Sequence, residues 1–180
     1  FYEAWSQYLF KMRVQENILI KDDNTCGMSV DANLFAKFNS VDELSELLEF
    51  NERTTVSEKR PTLILGGGSN ILFTKDFNGL VLKNEIKGIK EIKEDGHHIY
   101  VQVGAGENWH QFVLHCIQKG WAGVENLSLI PGNIGASPMQ NIGAYGAEIK
   151  DVFYSLEAFH IPDNKIVNFT LNDCEFGYRD

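Results

Sequence analysis

The stretch Leu129-Ile130-Pro131-Gly132-Asn133-Ile134-Gly135-Ala136-Ser137-Pro138-Met139-Gln140-Asn141-Ile142-Gly143-Ala144-Tyr145-Gly146-Ala147-Glu148 carries one charge in twenty residues and is crowded with glycine, proline and other small side chains. Such a segment brings main chain close to something. Gly132, Gly135, Gly143 and Gly146 permit left-handed or strained backbone, and Pro131 and Pro138 fix φ and remove donors. Gln140 and Asn141 add paired donors and acceptors. Together they describe a wall for a flat ligand with polar edges.

Outward from this segment the chain reads as α+β. On the N-terminal side, Trp109, Phe112, Val113, Cys116 and Ile117 recur at helical spacing and Gly120 ends the run, which predicts a helix over about 108–119. Before it, Ile99, Val101 and Val103 alternate with Tyr100 and Gln102 as in a half-buried strand. On the C-terminal side, Val152 to Ile161 and Lys165 to Thr170 read as strands joined by Pro162-Asp163-Asn164. A mixed or antiparallel sheet is expected over 89–180. Nearer the start, Ser40-Val41-Asp42-Glu43 is a capping box opening a helix over about 41–50. Pro61 then introduces Thr62-Leu63-Ile64-Leu65, an apolar run expected as a buried strand, and Leu80-Val81-Leu82 is a second. These point to a small parallel-sheet lobe over 12–88, with a boundary near Gly88. Trp109, Phe112 and Trp121 are expected in the core, and the Lys/Glu alternation from Lys83 to Glu94 on a solvated face.

At 180 residues the chain can bury roughly 70% of its unfolded surface, enough for one ordinary domain or two small lobes. A net charge of −9 argues against nucleic acid, which draws on clustered Lys and Arg. Cys26, Cys116 and Cys174 lack disulfide or zinc spacing and are expected as reduced thiols of a cytoplasmic protein. No run matches a membrane span or a signal peptide, so no membrane association is expected. Residues 1–11 precede Met12 and are expected to lie outside the fold, as an appended or upstream extension. The chain stops at Tyr178-Arg179-Asp180 without a capping turn, and we expect a truncated chain.

Gly66-Gly67-Gly68-Ser69-Asn70 follows the Thr62–Leu65 strand. Successive glycines can turn several N–H groups to one side as an anion nest, with Ser69 and Asn70 adding side-chain donors. Neither the nucleoside-triphosphate loop nor the dinucleotide fingerprint fits, since there is no Lys and Ile71 stands where the latter needs Gly. Pattern alone leaves a tight turn and a phosphate loop both open. His97/His98 and His110/His115 lack metal-ligand spacing, and no metal is expected. Ser137 lacks a nucleophile elbow. Arg179, between Tyr178 and Asp180, is open to two readings: a fixed guanidinium clamping a carboxylate, or an exposed salt-bridged arginine.

Asn24-Thr25-Cys26-Gly27, Gly66-Gly67-Gly68-Ser69-Asn70, Val103-Gly104-Ala105-Gly106-Glu107-Asn108-Trp109, Glu125-Asn126-Leu127, Ile130-Pro131-Gly132, Gln140-Asn141-Ile142-Gly143-Ala144-Tyr145-Gly146 and Tyr178-Arg179-Asp180 occur in the order and spacing of one family. From Met12 onward the chain resembles UDP-N-acetylenolpyruvoylglucosamine reductases of the longer-loop class. Cys26 departs from the aromatic residue more usual there. The resemblance implies a two-lobed fold of the vanillyl-alcohol-oxidase (PCMH) type with FAD held noncovalently between the lobes. It assigns the FAD contacts to Gly66, Gly67, Gly68, Ser69, Asn70, Ile71, Gly132, Ile134, Gly135, Ala136, Ser137, Gln140, Asn141, Ile142 and Gly143. It implies NADPH as reductant and UDP-N-acetylglucosamine enolpyruvate as substrate, reduced to UDP-N-acetylmuramate for peptidoglycan. Arg179 matches the family's catalytic arginine, while a protonating serine, an assisting glutamate and the substrate-binding domain are expected further along, outside this chain. We therefore expect a flavin-binding portion that does not complete turnover, the alternative being an FAD-binding module with no chemistry.

Overall fold

The computed structural model describes residues 13–54 and 60–177. Residues 1–11 and Tyr178, Arg179 and Asp180 lie outside the described residues. The chain divides into two compact units between Glu85 and Ile86.

The first unit is a four-stranded sheet: β1 (Gln15–Leu19), β2 (Asp31–Phe38), β3 (Thr62–Leu65) and β4 (Phe77–Asn84), in the order β1-β2-β4-β3. β2, β4 and β3 are parallel, and β1 adds an antiparallel edge to β2. Helix α1 (Val41–Thr54) crosses over from β2. Its capping box forms with a one-residue offset: Ser40 Oγ accepts from Glu43 N at 3.1 Å, and Glu43 reaches back to Asn39 N at 2.8 Å. Leu80, Val81 and Leu82 are fully buried because β4 is central and both its faces are covered. Val81 shares one face with Ile20, Val30, Ala32, Phe35, Leu65 and Phe73. The strand expected as buried at Thr62–Leu65 is an edge strand instead: Leu65 is buried, whereas Ile64, on the other face, is 39% exposed. A sheet edge leaves that face uncovered, which a short apolar run does not reveal.

The second unit holds antiparallel pairs only, among the described residues: β5 (Ile89–Glu94) with β6 (Ile99–Val103), β7 (Gly143–Ala144) with β8 (Ala147–Glu148), and β9 (Ser155–His160) with β10 (Lys165–Thr170). β5 is the charged alternation, and it is exposed along nearly its whole length. Helix α2 (Trp109–Lys119) starts where Asn108 caps Gln111 N and ends where Gly120 turns left-handed at φ 73. Trp109, Phe112, Val113, Cys116, Val124, Leu127 and Ile149 form its core, with Trp121 packed against them. The indole of Trp109 donates to Leu127 O at 2.7 Å, so its one polar group is satisfied inside. Tyr145 and Gly146, at φ 51 and 81, close the β7–β8 hairpin in the doubly left-handed geometry of a type I′ turn.

Candidate functional site

In the first unit, the glycine run after β3 is a bent loop pressed onto the Ile20–Met28 segment. Gly68 is left-handed at φ 64, and a Cβ there would lie 2.2 Å from Asp23 O and 2.9 Å from Asn24 Cα. Only glycine fits on both counts. The Gly68 carbonyl accepts from Thr25 N at 3.0 Å. Among the described residues, the amides of Gly67, Gly68 and Ser69 donate to no protein acceptor. Unengaged amides on one short turn are the kind of donor from which an anion nest is built. Gly66, Gly67 and Ser69 are half-buried and Asn70 is exposed. Ile71 packs its side chain on the core of the unit.

The loop beneath that turn is built by Asn24, which is buried. Its Nδ2 donates to Ile20 O at 2.8 Å and Met28 O at 3.1 Å, with a longer contact to Lys21 O at 3.3 Å. Its Oδ1 accepts from Met28 N at 2.9 Å. Asp23, the neighbour that touches Gly68, is held by Lys83 at 3.2 Å. Sequence reading placed Asn24 only inside a family motif. The turn signal Asn-Thr-Cys-Gly was visible, but the partners are set by the tertiary path.

In the second unit, the segment after Ile130 docks on the chain between β6 and α2. Ile134 N donates to Glu107 O and Gly135 N to Ala105 O, each at 2.9 Å, while Trp109 N donates to Gly132 O at 3.0 Å. A Cβ at Gly135 would stand 2.8 Å from the Ala105 Cβ, so this residue is glycine because two backbones meet. Ala136 N, Asn141 N and Ile142 N donate within the segment, and Ser137 Oγ donates to Ile134 O at 2.8 Å. Most donors of this wall are thus engaged internally, unlike those of the glycine turn. Ile134 and Ile142 pack on the unit's core, Ser137 is buried, and Gly132 is half-buried. Of the predicted contacts, Gly135, Ala136, Gln140 and Gly143 face out, and the exposed Met139 lies among them. Small side chains on an open face let a planar ring approach closely.

Asn141 is 2% exposed and left-handed at φ 43. Its Nδ2 donates to Glu148 Oε2 and to Gly177 O, both at 2.8 Å, and its Oδ1 accepts from Lys150 N at 3.3 Å. Its side chain therefore ties the wall to the stretch that leads to Arg179, itself outside the described residues. The Glu148 carboxyl is held below the ordinary carboxylate range, first by the Lys150 ammonium that donates to it and then by the Asn141 amide. His110 accepts from Leu129 N through Nδ1.

Comparison with known families defines the class of protein. The chain belongs to the FAD binding domain family, whose sequence model matches residues 32–170. It is 49% identical over 169 residues to the UDP-N-acetylenolpyruvoylglucosamine reductase of Amoebophilus asiaticus, a match covering 94% of this chain and 49% of that protein. The enzyme of the same name from Pseudomonas syringae pv. syringae is 48% identical with the same coverage, 94% and 49%. The chain thus spans about half the length of the curated relatives it matches. Among solved structures it is similar to UDP-N-acetylenolpyruvylglucosamine reductase from Thermus caldophilus, with a TM-score of 0.69 at 24% identity over 93% of this chain and 56% of that one. A VAO-type flavoprotein from Myceliophthora thermophila gives a TM-score of 0.57 at 14% identity, over 76% of this chain and 26% of that one. At these identities the structures define the fold alone, the two-lobed α+β FAD-binding fold of the vanillyl-alcohol-oxidase type. No helix among the described residues is long and apolar enough to cross a membrane.

Proposed function

We propose that this chain is the FAD-holding portion of a reductase that uses NADPH to convert UDP-N-acetylglucosamine enolpyruvate into UDP-N-acetylmuramate. The observation that carries the reading is the 49% identity, across 94% of the chain, to proteins named for that reduction. The Gly67–Ser69 amides hold the pyrophosphate, flanked by Gly66, Asn70 and Ile71. Gly132, Ile134, Gly135, Ala136, Ser137, Gln140, Asn141, Ile142 and Gly143 form the wall. In this assignment Gly135, Ala136, Gln140 and Gly143 touch the cofactor, while Ser137 and Asn141 shape the backbone that does so. FAD, when bound, supplies the two-electron chemistry between NADPH and the enolpyruvyl group. Reduction of an enol ether conjugated with a carboxylate builds negative charge on that carboxyl group, and the Arg179 guanidinium stabilises it there. The substrate is a small molecule, and the protein works in the cytoplasm.

FAD titration of the purified chain tests the first half: a shifted flavin absorbance band and quenched flavin fluorescence are expected. The second half is read in a protein of the relatives' full length, as NADPH oxidation that depends on the enolpyruvyl sugar. There Arg179→Ala is expected to slow substrate reduction by roughly a hundredfold or more while leaving flavin reduction by NADPH largely intact. Equal loss of both half-reactions contradicts the role given to Arg179.

A further inference from the structure

We propose that Asn24 is the positioning residue of the Gly66–Asn70 phosphate nest, an inference that rests on the FAD reading above. An anion nest works only if successive amides converge, and its glycines have no side chains to hold that shape. Something outside the turn must impose it. The structure offers one continuous support: the backbone of Asp23 and Asn24 comes so near Gly68 that a Cβ there would overlap it, and the Gly68 carbonyl is held by Thr25 N. That support is itself a loop, and one buried side chain spans it from Ile20 to Met28.

The Asn24 amide joins both ends of the loop. It donates to Ile20 O before the turn and to Met28 O after it, and accepts from Met28 N. Asp23 N donates to Ile20 O and Gly27 N to Asn24 O, so the backbone closes around the amide. Lys83 on β4 holds Asp23 from the sheet side. Remove the amide, and Met28 O and Met28 N lose this partner together, while Ile20 O is left with Asp23 N alone. The Asp23–Thr25 backbone, against which Gly68 rests, is then free to move, and the nest amides diverge.

Asn24→Ala and Asn24→Asp in the 180-residue chain test this. Asn24→Ala is expected to weaken FAD binding roughly tenfold, a factor of the size a lost buried hydrogen bond produces. Asn24→Asp retains the acceptor for Met28 N but points a carboxylate at carbonyl oxygens, and a protonated carboxyl restores a donor. Its FAD affinity relative to wild type is therefore expected to be low at pH 8 and to recover toward pH 5, with wild type at each pH correcting for the nearby Asp23–Lys83 pair. Hydrogen exchange at the Thr25 amide, without FAD, is expected to speed up in both variants at pH 8. Variants that bind FAD as wild type does at both pH values overturn the inference. So do variants that lose FAD while Thr25 stays as protected as in wild type, because the effect then bypasses the nest. A wild-type chain that takes up no FAD refutes instead the proposal that this portion holds FAD by itself, and the role of Asn24 falls with it.

Discussion

Gly68→Ala, compared with Gly27→Ala, isolates the close approach on which the nest depends. Both glycines are left-handed, at φ 64 and 61, and both lie in the first unit. Each alanine incurs about 1–2 kcal/mol of left-handed strain, and each removes a similar entropy from the unfolded chain, about 0.4–1 kcal/mol in the opposite sense. These terms cancel between the two variants. Gly27 has nothing within 4 Å of an added Cβ, whereas at Gly68 the new atom would stand 2.2 Å from Asp23 O. A relaxed carbon–oxygen contact is about 3.3 Å, so loop and turn must separate by about 1 Å. Forced repacking of that kind costs about 1–3 kcal/mol. Gly68→Ala is therefore expected to be less stable than Gly27→Ala by about 1–3 kcal/mol. At about 2–4 °C per kcal/mol for a chain of this size, several degrees of unfolding midpoint separate them. FAD binding should be weakened by the first substitution and preserved by the second. Equal midpoints and equal FAD affinity for the two variants would refute the reasoning, since the close approach to the Asp23–Asn24 backbone is what sets Gly68 apart.

Burial raises the Cys116 thiol to about 11, so at pH 8 a thiol reagent should modify exposed Cys26 in the native protein and Cys116 only on unfolding, as read by mass spectrometry. The sign of the shift makes this contribution to stability complete below the ordinary thiol value near 9 and lost as pH rises toward about 11. Asn141→Ala removes bonds to Glu148, Gly177 and Lys150 and should lower stability by about 1–3 kcal/mol in thermal or urea unfolding. Because the Glu148 carboxyl is depressed, its part of that network is present above the ordinary value of 4.5 and fades as pH falls below it; a difference between wild type and Asn141→Ala that widens in acid would count against this. Gly135→Ala drives a Cβ to 2.8 Å from that of Ala105 and should cost about 1–3 kcal/mol, most of it restored by Ala105→Gly; strictly additive effects of the two changes would exclude the contact.

The elements read correctly from sequence are those whose determinants are local. Helix α2 runs from the Asn108 cap to the left-handed Gly120 as its apolar spacing predicts, and β10 spans Lys165–Thr170 as expected. α1 continues to Thr54, beyond the expected end near residue 50, and β4 begins at Phe77 rather than Leu80. β1 and β2 escaped notice because their pairing is long-range: β2 lies between β1 and β4, and Leu34 pairs with Leu80. In the candidate site, the abundance of glycine was legible, but not the division of labour. Gly68 and Gly135 are glycines because backbones meet there, while Gly146 completes a hairpin turn with nothing near it.

By itself the sequence determined where the main chain must be bare: the Gly66–Asn70 turn and the small-residue wall, both written in runs of residues that lack side chains. Only the tertiary structure decided which of those bare segments keeps its donors. The wall's amides at Ile134, Gly135 and Ala136 are engaged by neighbouring carbonyls, whereas those of Gly67, Gly68 and Ser69 have no acceptor among the described residues. The physical reason is that a hydrogen bond needs a partner brought close by folding. For the glycine turn, folding brings instead the Asp23–Thr25 loop, shaped by one buried asparagine amide.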